Sequence, residues 1–273
     1  MEVSTRAQPL NEGLKVLYTD LDGTLLGPGG SLFSAEDGGP SGEAAAALLA
    51  LQQAGVELVL MSGRTRRGLH EAARVLGASA YIAELGAILV LDGDEVMLEQ
   101  GEFAGPGRVV DALASSGVAG LLLERFPGRL EAVAPWTEVS AMFQGFVDVG
   151  EVMAVLGEAG FGWLAFHDNG RLRRRLPELD VSEVHAYHLL PKGVSKATAV
   201  RRHREIRGVA RETTVAVGDS IADLAVAEEV GRFFLVANGR DAIGNAPLPP
   251  NAHVTERAHG DGFAEAVRSV LGR

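Results

Sequence analysis

The run Val16-Leu17-Tyr18-Thr19-Asp20-Leu21-Asp22-Gly23-Thr24 constrains the fold more than any other stretch of the chain. A short apolar run that stops at acids and a glycine reads as a buried strand of a parallel sheet. A parallel sheet needs crossover connections, so the chain belongs to the α/β class. Asp20 and Asp22 then lie at the strand's carboxyl end, where the loops of an open α/β sheet form the ligand crevice. Alternation would put both on one face, but the turn at Gly23 separates their directions. Asp and Gly are also ordinary turn residues, so the motif needs partners before it means chemistry.

The alternation continues. Lys15–Thr19, Val56–Met61 and Tyr81–Ala83 read as strands, with Glu43–Ala54 and Arg66–Leu76 as Ala- and Leu-rich helices that stop at Gly55 and Gly77. Late in the chain, Ser195–Arg207 reads as a helix, Thr214–Val217 as a strand, Ala222–Val230 as a helix, Arg232–Ala237 as a strand and Gly262–Leu271 as a closing helix. The middle differs. Asp92-Gly93 sits between two β runs over Ile88–Leu98, and Asn169-Gly170 between Trp163–His167 and Leu172–Leu176, both hairpin signals. With helices expected at Arg108–Ser115 and Glu151–Ala159, residues 89–188 read as an α+β insert in a core of residues 14–88 and 189–273.

Composition narrows the chemistry. The 273 residues contain no cysteine, which excludes disulfides, thiolate metal sites and cysteine nucleophiles. A formal net charge of −11 argues against a nucleic-acid backbone as partner, because such affinity comes from Lys and Arg. Met1–Gly13 has no apolar core segment and no run reaches membrane-spanning length, so a soluble cytoplasmic protein with no membrane partner is expected.

Two nearby carboxylates repel unless a cation sits between them or one keeps its proton. A hard divalent cation such as Mg²⁺ takes oxygen ligands and can hold a phosphoryl group for attack by a free carboxylate oxygen. The second strand run delivers Ser62-Gly63-Arg64 to the same edge, where a hydroxyl and backbone N–H groups make either a phosphate cradle or a plain strand-to-helix turn. Val217-Gly218-Asp219 repeats the strand-ending acid, and Asp223, a helical turn on, either supports a cation or caps a helix start. Lys196 opens a helix, where a cation is unfavourable for the dipole unless an anion lies beside it.

Taken in order, Asp20-Leu21-Asp22-Gly23-Thr24, Ser62-Gly63-Arg64, Lys196 and Gly218-Asp219-Ser220-Ile221-Ala222-Asp223 resemble the haloacid dehalogenase-like superfamily of phosphotransferases. The resemblance implies a doubly wound, Rossmann-like parallel-sheet core with an inserted α+β cap. It implies Asp20 as the nucleophile that forms an aspartyl-phosphate and Asp22 as general acid and base. Thr24, Ser62 and Gly63 would hold the phosphoryl group, with Lys196 neutralising nucleophile and phosphate. Mg²⁺ would be held by Asp20, the backbone carbonyl of Asp22 and Asp219, supported by Asp223. About 40 residues separate the first two motifs and roughly 130 separate Ser62 from Lys196, so the cap follows the third strand. That placement is similar to the Cof-type, sucrose-phosphate and mannosyl-3-phosphoglycerate phosphatases, and Tyr187–Lys196 is similar to the last group around its lysine. The expected activity is therefore Mg²⁺-dependent phosphomonoester hydrolysis of a small phosphorylated sugar or sugar-glycerate, mannosyl-3-phosphoglycerate-like.

Two positions depart from those families: Leu85 stands where Glu-Asn-Gly-Gly has Asn, and Ala222 where Gly-Asp-Ser-x-Asn-Asp has Asn. A catalytically weakened sugar-phosphate binding or regulatory protein, or a phosphomutase, are the alternatives. In the cap, Arg171, Arg173 and Arg175 would share one face of a strand and grip a second anion, while His185 and His188 are placed to meet a sugar hydroxyl. A basic hairpin and a lone histidine are more often a solvated face and a structural side chain.

Overall fold

The computed structural model describes residues 13–133, 137–172 and 175–272. An eight-stranded sheet runs in the order β12-β11-β10-β1-β2-β3-β4-β5. Its strands are β1 (Val16–Asp20), β2 (Glu57–Met61), β3 (Ala80–Ala83), β4 (Ile88–Leu91), β5 (Glu95–Leu98), β10 (Thr214–Gly218), β11 (Arg232–Leu235) and β12 (Ala252–Val254). The six from β12 to β3 are parallel; β4 and β5 add an antiparallel edge. A second, four-stranded antiparallel sheet runs β6-β7-β9-β8, from β6 (Leu130–Ala132), β7 (Ala141–Gly145), β8 (Leu164–Leu172) and β9 (Val184–Pro191).

Helices cover both faces of the large sheet because its central strands are apolar on both faces. Leu17 of β1 packs on one side in a cluster with Leu51 of α1 (Glu43–Gln53), Leu69 of α2 (Arg66–Leu76) and Phe263 of α9 (His259–Leu271). Val16 and Tyr18 face the other way, toward Ala199 and Val200 of α6 (Lys196–Arg207) and Leu224 of α7 (Ile221–Leu224). α2 is bounded by chemistry: the Thr65 hydroxyl accepts the Gly68 N–H, and Gly77 closes the helix at φ 74°. A reciprocal Ser195–Thr198 cap fixes where α6 begins, and so fixes Lys196 in its first turn. α3 (Val109–Ser115), α4 (Val118–Arg125) and α5 (Val149–Glu158) lie in the chain leading through the small sheet, and α8 (Gly239–Ile243) follows β11.

Four expectations are corrected. The Ile88–Leu98 hairpin forms, but it extends the large sheet rather than opening the insert at residue 89. All four residues of β4 are buried, which suits a strand covering the edge of β3. The Asn169-Gly170 pair makes no hairpin. β8 runs straight through it and, among the described residues, pairs only with β9, with a bulge between Asp168 and Arg171. The Asp168 carboxylate accepts the Gly170 N–H at 2.7 Å and Gly170 takes φ 91°, so the pair is absorbed as an extra residue in the strand. β9 continues to Pro191, past the expected end of the insert. The helix expected over Ala222–Val230 is one α turn, α7, followed by a 3₁₀ segment over Ala225–Glu229.

Candidate active site

β10, β1 and β2 are adjacent and parallel, so the residues that leave them emerge at one edge. Asp20 ends β1, Ser62 follows β2 and Asp219 follows β10. α6 begins at the same edge and brings in Lys196. Its ammonium Nζ donates to Asp20 Oδ1 at 2.6 Å and to Asp223 Oδ1 at 2.7 Å, with Lys196 2% and Asp20 5% exposed. Burial alone would lower the Lys196 pKa; the Asp20 and Asp223 carboxylates outweigh it and hold the ammonium charged.

Asp20, Asp219 and Asp223 offer carboxylate oxygens within 4.8 Å of one another. Three carboxylates against one ammonium leave two negative charges, and every donor is a hard oxygen, which fits Mg²⁺. The strain of leaving them uncompensated shows in their protonation. Burial pushes Asp20 well above the carboxylate range, against Lys196 and with Asp223 and Asp219 adding to it. Asp219 is pushed up to about 7 by burial and the Asp223 charge. Asp223 already has partners: Oδ2 accepts the Ser220 hydroxyl at 2.5 Å and the Ser220 and Asp219 N–H groups. It holds the loop and the lysine, leaving Asp20 and Asp219 as the more available oxygen donors.

The rest of the Asp20–Thr24 turn is built around Gly23 at φ 92°, whose missing Cβ would lie 2.2 Å from Asp219 Oδ2. The turn sends Asp22 outward, half-exposed and outside the acidic cluster, into a two-point pair with Arg64 at 2.7 and 2.6 Å. Thr24 is buried and donates to Asp219 Oδ1 at 3.0 Å. Ser62 is buried, and its hydroxyl accepts the Arg64 N–H at 3.1 Å. Gly63 lies under the small sheet: a Cβ there would meet the Asn169 side chain at 2.2 Å.

Two contributors, Asn238 and His259, carry no motif that sequence reading could find. Asn238 Nδ2 and His259 Nδ1 both donate to the Gly23 carbonyl, at 2.9 and 2.8 Å, and His259 N–H donates to Asn238 Oδ1. Glu84, at the end of β3, is wholly buried and accepts from the backbone N–H groups of Glu138, Val139 and Ser140 and from the Ser140 hydroxyl. Arg66 Nε also reaches Glu138 at 2.6 Å. The segment before β7 is thus tied to the large sheet. Glu84 and Leu85 sit at φ 48° and 57°, the left-handed region in which Asn is commoner than Leu.

The cap arginines do not converge on this site. Arg171 is exposed and faces Glu183 at 3.4 Å, Arg175 is exposed beyond β8, and Arg173 lies outside the described residues. His185 pairs with Asp168 at 2.7 Å. His188 is wholly buried, and the Lys196 ammonium acts on it electrostatically. No helix among the described residues is long and apolar enough to cross a membrane.

A doubly wound sheet whose central strand ends supply two acids, joined by a third from α7 and by a buried lysine, defines an α/β enzyme of the phosphotransferase type. The family model of haloacid dehalogenase-like hydrolases matches residues 17–102 and 169–267. The chain belongs to that family, and it is a phosphatase of that superfamily. It is 31% identical over 262 residues to a phosphoglycolate phosphatase of Pyrobaculum aerophilum, covering 94% of this chain and 96% of the relative. It is 26% identical over 264 residues to a phosphoglycolate phosphatase of Methanothermobacter thermautotrophicus, covering 95% and 100%. Among solved structures it resembles a Thermoplasma acidophilum protein (TM-score 0.65, 17% identity, 94% and 97% covered). It also resembles the sucrose-phosphatase of Synechocystis sp. PCC6803 in complex with sucrose and phosphate (TM-score 0.62, 15% identity, 93% and 97% covered).

Proposed function

We propose that the chain is a Mg²⁺-dependent phosphomonoester hydrolase that works through an aspartyl-phosphate on Asp20. The observation that carries the reading is Lys196 bridging Asp20 and Asp223 with Asp219 beside them. Asp20, Asp219 and the Asp22 carbonyl would hold Mg²⁺, which supplies charge neutralisation and orients the phosphoryl oxygens. Lys196 opposes the burial that favours a protonated Asp20 and aims its carboxylate. An Asp20 carboxylate oxygen attacks phosphorus, the ester P–O bond breaks, and Asp22 gives its proton to the leaving oxygen. Asp22 then takes a proton from water as that water attacks phosphorus, releasing inorganic phosphate and restoring Asp20. Asp22 has to leave its pair with Arg64 to do this, and its half-exposed position allows that motion. Thr24, Ser62 and Gly63 are the proposed phosphoryl cradle, and Asp223 positions the lysine.

The substrate in this reading is a small phosphorylated sugar or sugar-glycerate, with a mannosyl-3-phosphoglycerate-like ester the first candidate and the cytoplasm the proposed setting. Phosphoglycolate enters as a competitor because the curated relatives carry that name. Phosphate release from a panel of these esters, with Mg²⁺ and with EDTA and with Asp20→Asn as blank, tests the reading. One ester turned over with kcat/KM above about 10⁴ M⁻¹s⁻¹ supports it. Binding without release favours the weakened binding protein to which Ala222 and Leu85 point, and phosphate returned to substrate identifies a mutase.

A further inference from the structure

We propose that Glu84, Ser140 and His188 form a hydrogen-bonded chain that presents the bare Nε2 of His188 to the leaving group, so that the enzyme selects hydroxyl-bearing phosphate esters over phosphoglycolate. The inference rests on the phosphatase reading and adds a specificity-determining residue to it.

The direction of each hydrogen bond fixes the next. Glu84 accepts from three backbone N–H groups and, through Oε2 at 2.9 Å, from the Ser140 hydroxyl. That contact spends the single proton of the Ser140 hydroxyl. Toward His188 Nδ1, 3.3 Å away, Ser140 Oγ therefore only accepts, and the imidazole proton sits on Nδ1. Burial pushes the His188 pKa down to about 3, with His167 and the Lys196 ammonium adding to it, so the ring is neutral. Nε2 is then a lone-pair acceptor, and it is buried with no partner among the described residues.

Its orientation follows from the sheet register. His188 pairs directly with Met142 and His167, and directly opposed residues share a face. The opposite face carries Phe143, Phe166 and Tyr187, which pack with Val152 and Leu156 of α5. His188 and His167 thus lie on the face away from α5, and Asn169 of β8 lies against Gly63, which follows β2 at the edge that carries Asp20. His167 Nε2 is likewise buried without a partner among the described residues. In this proposal a leaving group that extends from Asp20 past Gly63 toward the small sheet meets the face that carries His188 and His167. A hydroxyl donates to Nε2 and satisfies it; a carboxylate opposes lone pair to lone pair and leaves it unpaired.

The full-length protein is assayed on mannose 6-phosphate, glycerol 3-phosphate, phosphoglycolate and para-nitrophenyl phosphate, as wild type and as His188→Leu. The expected result is a wild-type preference for the hydroxylated esters over phosphoglycolate. The ratio of kcat/KM for those esters to that for para-nitrophenyl phosphate should fall about 10- to 100-fold in His188→Leu, mainly through KM. Equal losses on all four, or a wild-type preference for phosphoglycolate, would overturn the proposal. Histidine ¹⁵N resonances give a second readout that does not depend on turnover: His188 should carry its proton on Nδ1 in the wild type and lose that fixed tautomer in Ser140→Ala. A proton on Nε2 in the wild type overturns the proposal. Failure to hydrolyse even para-nitrophenyl phosphate would instead remove the phosphatase reading, and the resonance would then decide the tautomer by itself.

Discussion

Replacing Lys196 by Met removes a charge from the centre of the site while nearly keeping its volume. The side chain is 2% exposed and is shared by Asp20 and Asp223, which are 5% and 0% exposed. Breaking a buried ion pair from one side costs about 3–5 kcal/mol, because the remaining charge stays buried without its partner. With an unfolding entropy of ~2.1 cal/mol/K per residue, 273 residues give roughly 0.57 kcal/mol/K, so Tm should fall by about 5–9 °C at pH 8. The loss has a definite pH dependence. Asp20 already has its folded pKa raised by burial, and without the ammonium it rises further. A carboxylate whose folded pKa lies above its unfolded value destabilises the fold above the folded pKa, and the penalty disappears as pH falls toward the unfolded value of about 4. The gap in Tm between wild type and Lys196→Met, followed by calorimetry without Mg²⁺, should therefore be widest at high pH and narrow as pH falls from the folded pKa of Asp20 in the variant to its lower folded pKa in the wild type. A gap that stays constant, or no gap at pH 8, would refute the reasoning and leave Lys196 as a space-filling residue.

Asp22→Asn should lower kcat for alkyl phosphates about 10²- to 10⁴-fold and for para-nitrophenyl phosphate much less in the phosphoryl-transfer step, because that leaving group needs no proton; burst kinetics separates the two steps. Asp219, pushed up to about 7, must lose its proton to take a cation. Mg²⁺ affinity by titration calorimetry should therefore rise by roughly tenfold or more per pH unit below about 7, and a flat profile from pH 5.5 to 7 would count against the site. Glu84→Ala should cost about 1–3 kcal/mol, or roughly 2–5 °C in Tm by the same entropy, since it strands three buried N–H groups and the Ser140 hydroxyl.

The acidic strand ends were legible because the information is local. An apolar run that stops at Asp20 or at Asp219 marks both the strand and the residue it delivers, and Gly77 marks the end of α2. The helical run from Ser195 to Arg207 places Lys196 at the start of α6, which the structure bears out. What stayed hidden depends on contacts between distant segments. Whether Ile88–Leu98 joins the core or the insert is decided by the free edge of β3, which no residue of the hairpin encodes by itself. Asn169-Gly170 carries a turn signature, but the long pairing of β8 with β9 outweighs it and a bulge accommodates the extra residue. Asn238 and His259 act on Gly23 across 215 and 236 positions of sequence, and Glu84 meets Ser140 across 56. Nothing near Asn238 or His259 in the chain signals a partner, and the turn that contains Glu84 does not name Ser140.

The account stands or falls on a covalent intermediate at Asp20. Wild-type enzyme is mixed with Mg²⁺ and its best substrate, quenched in acid within the first turnovers, reduced with borohydride and mapped by peptide mass spectrometry. An acyl phosphate is reduced to the alcohol, so the account predicts homoserine at position 20, dependent on substrate and Mg²⁺ and absent in Asp20→Asn. Reduction at another carboxylate, or an unmodified Asp20 in enzyme that is releasing phosphate, would contradict it.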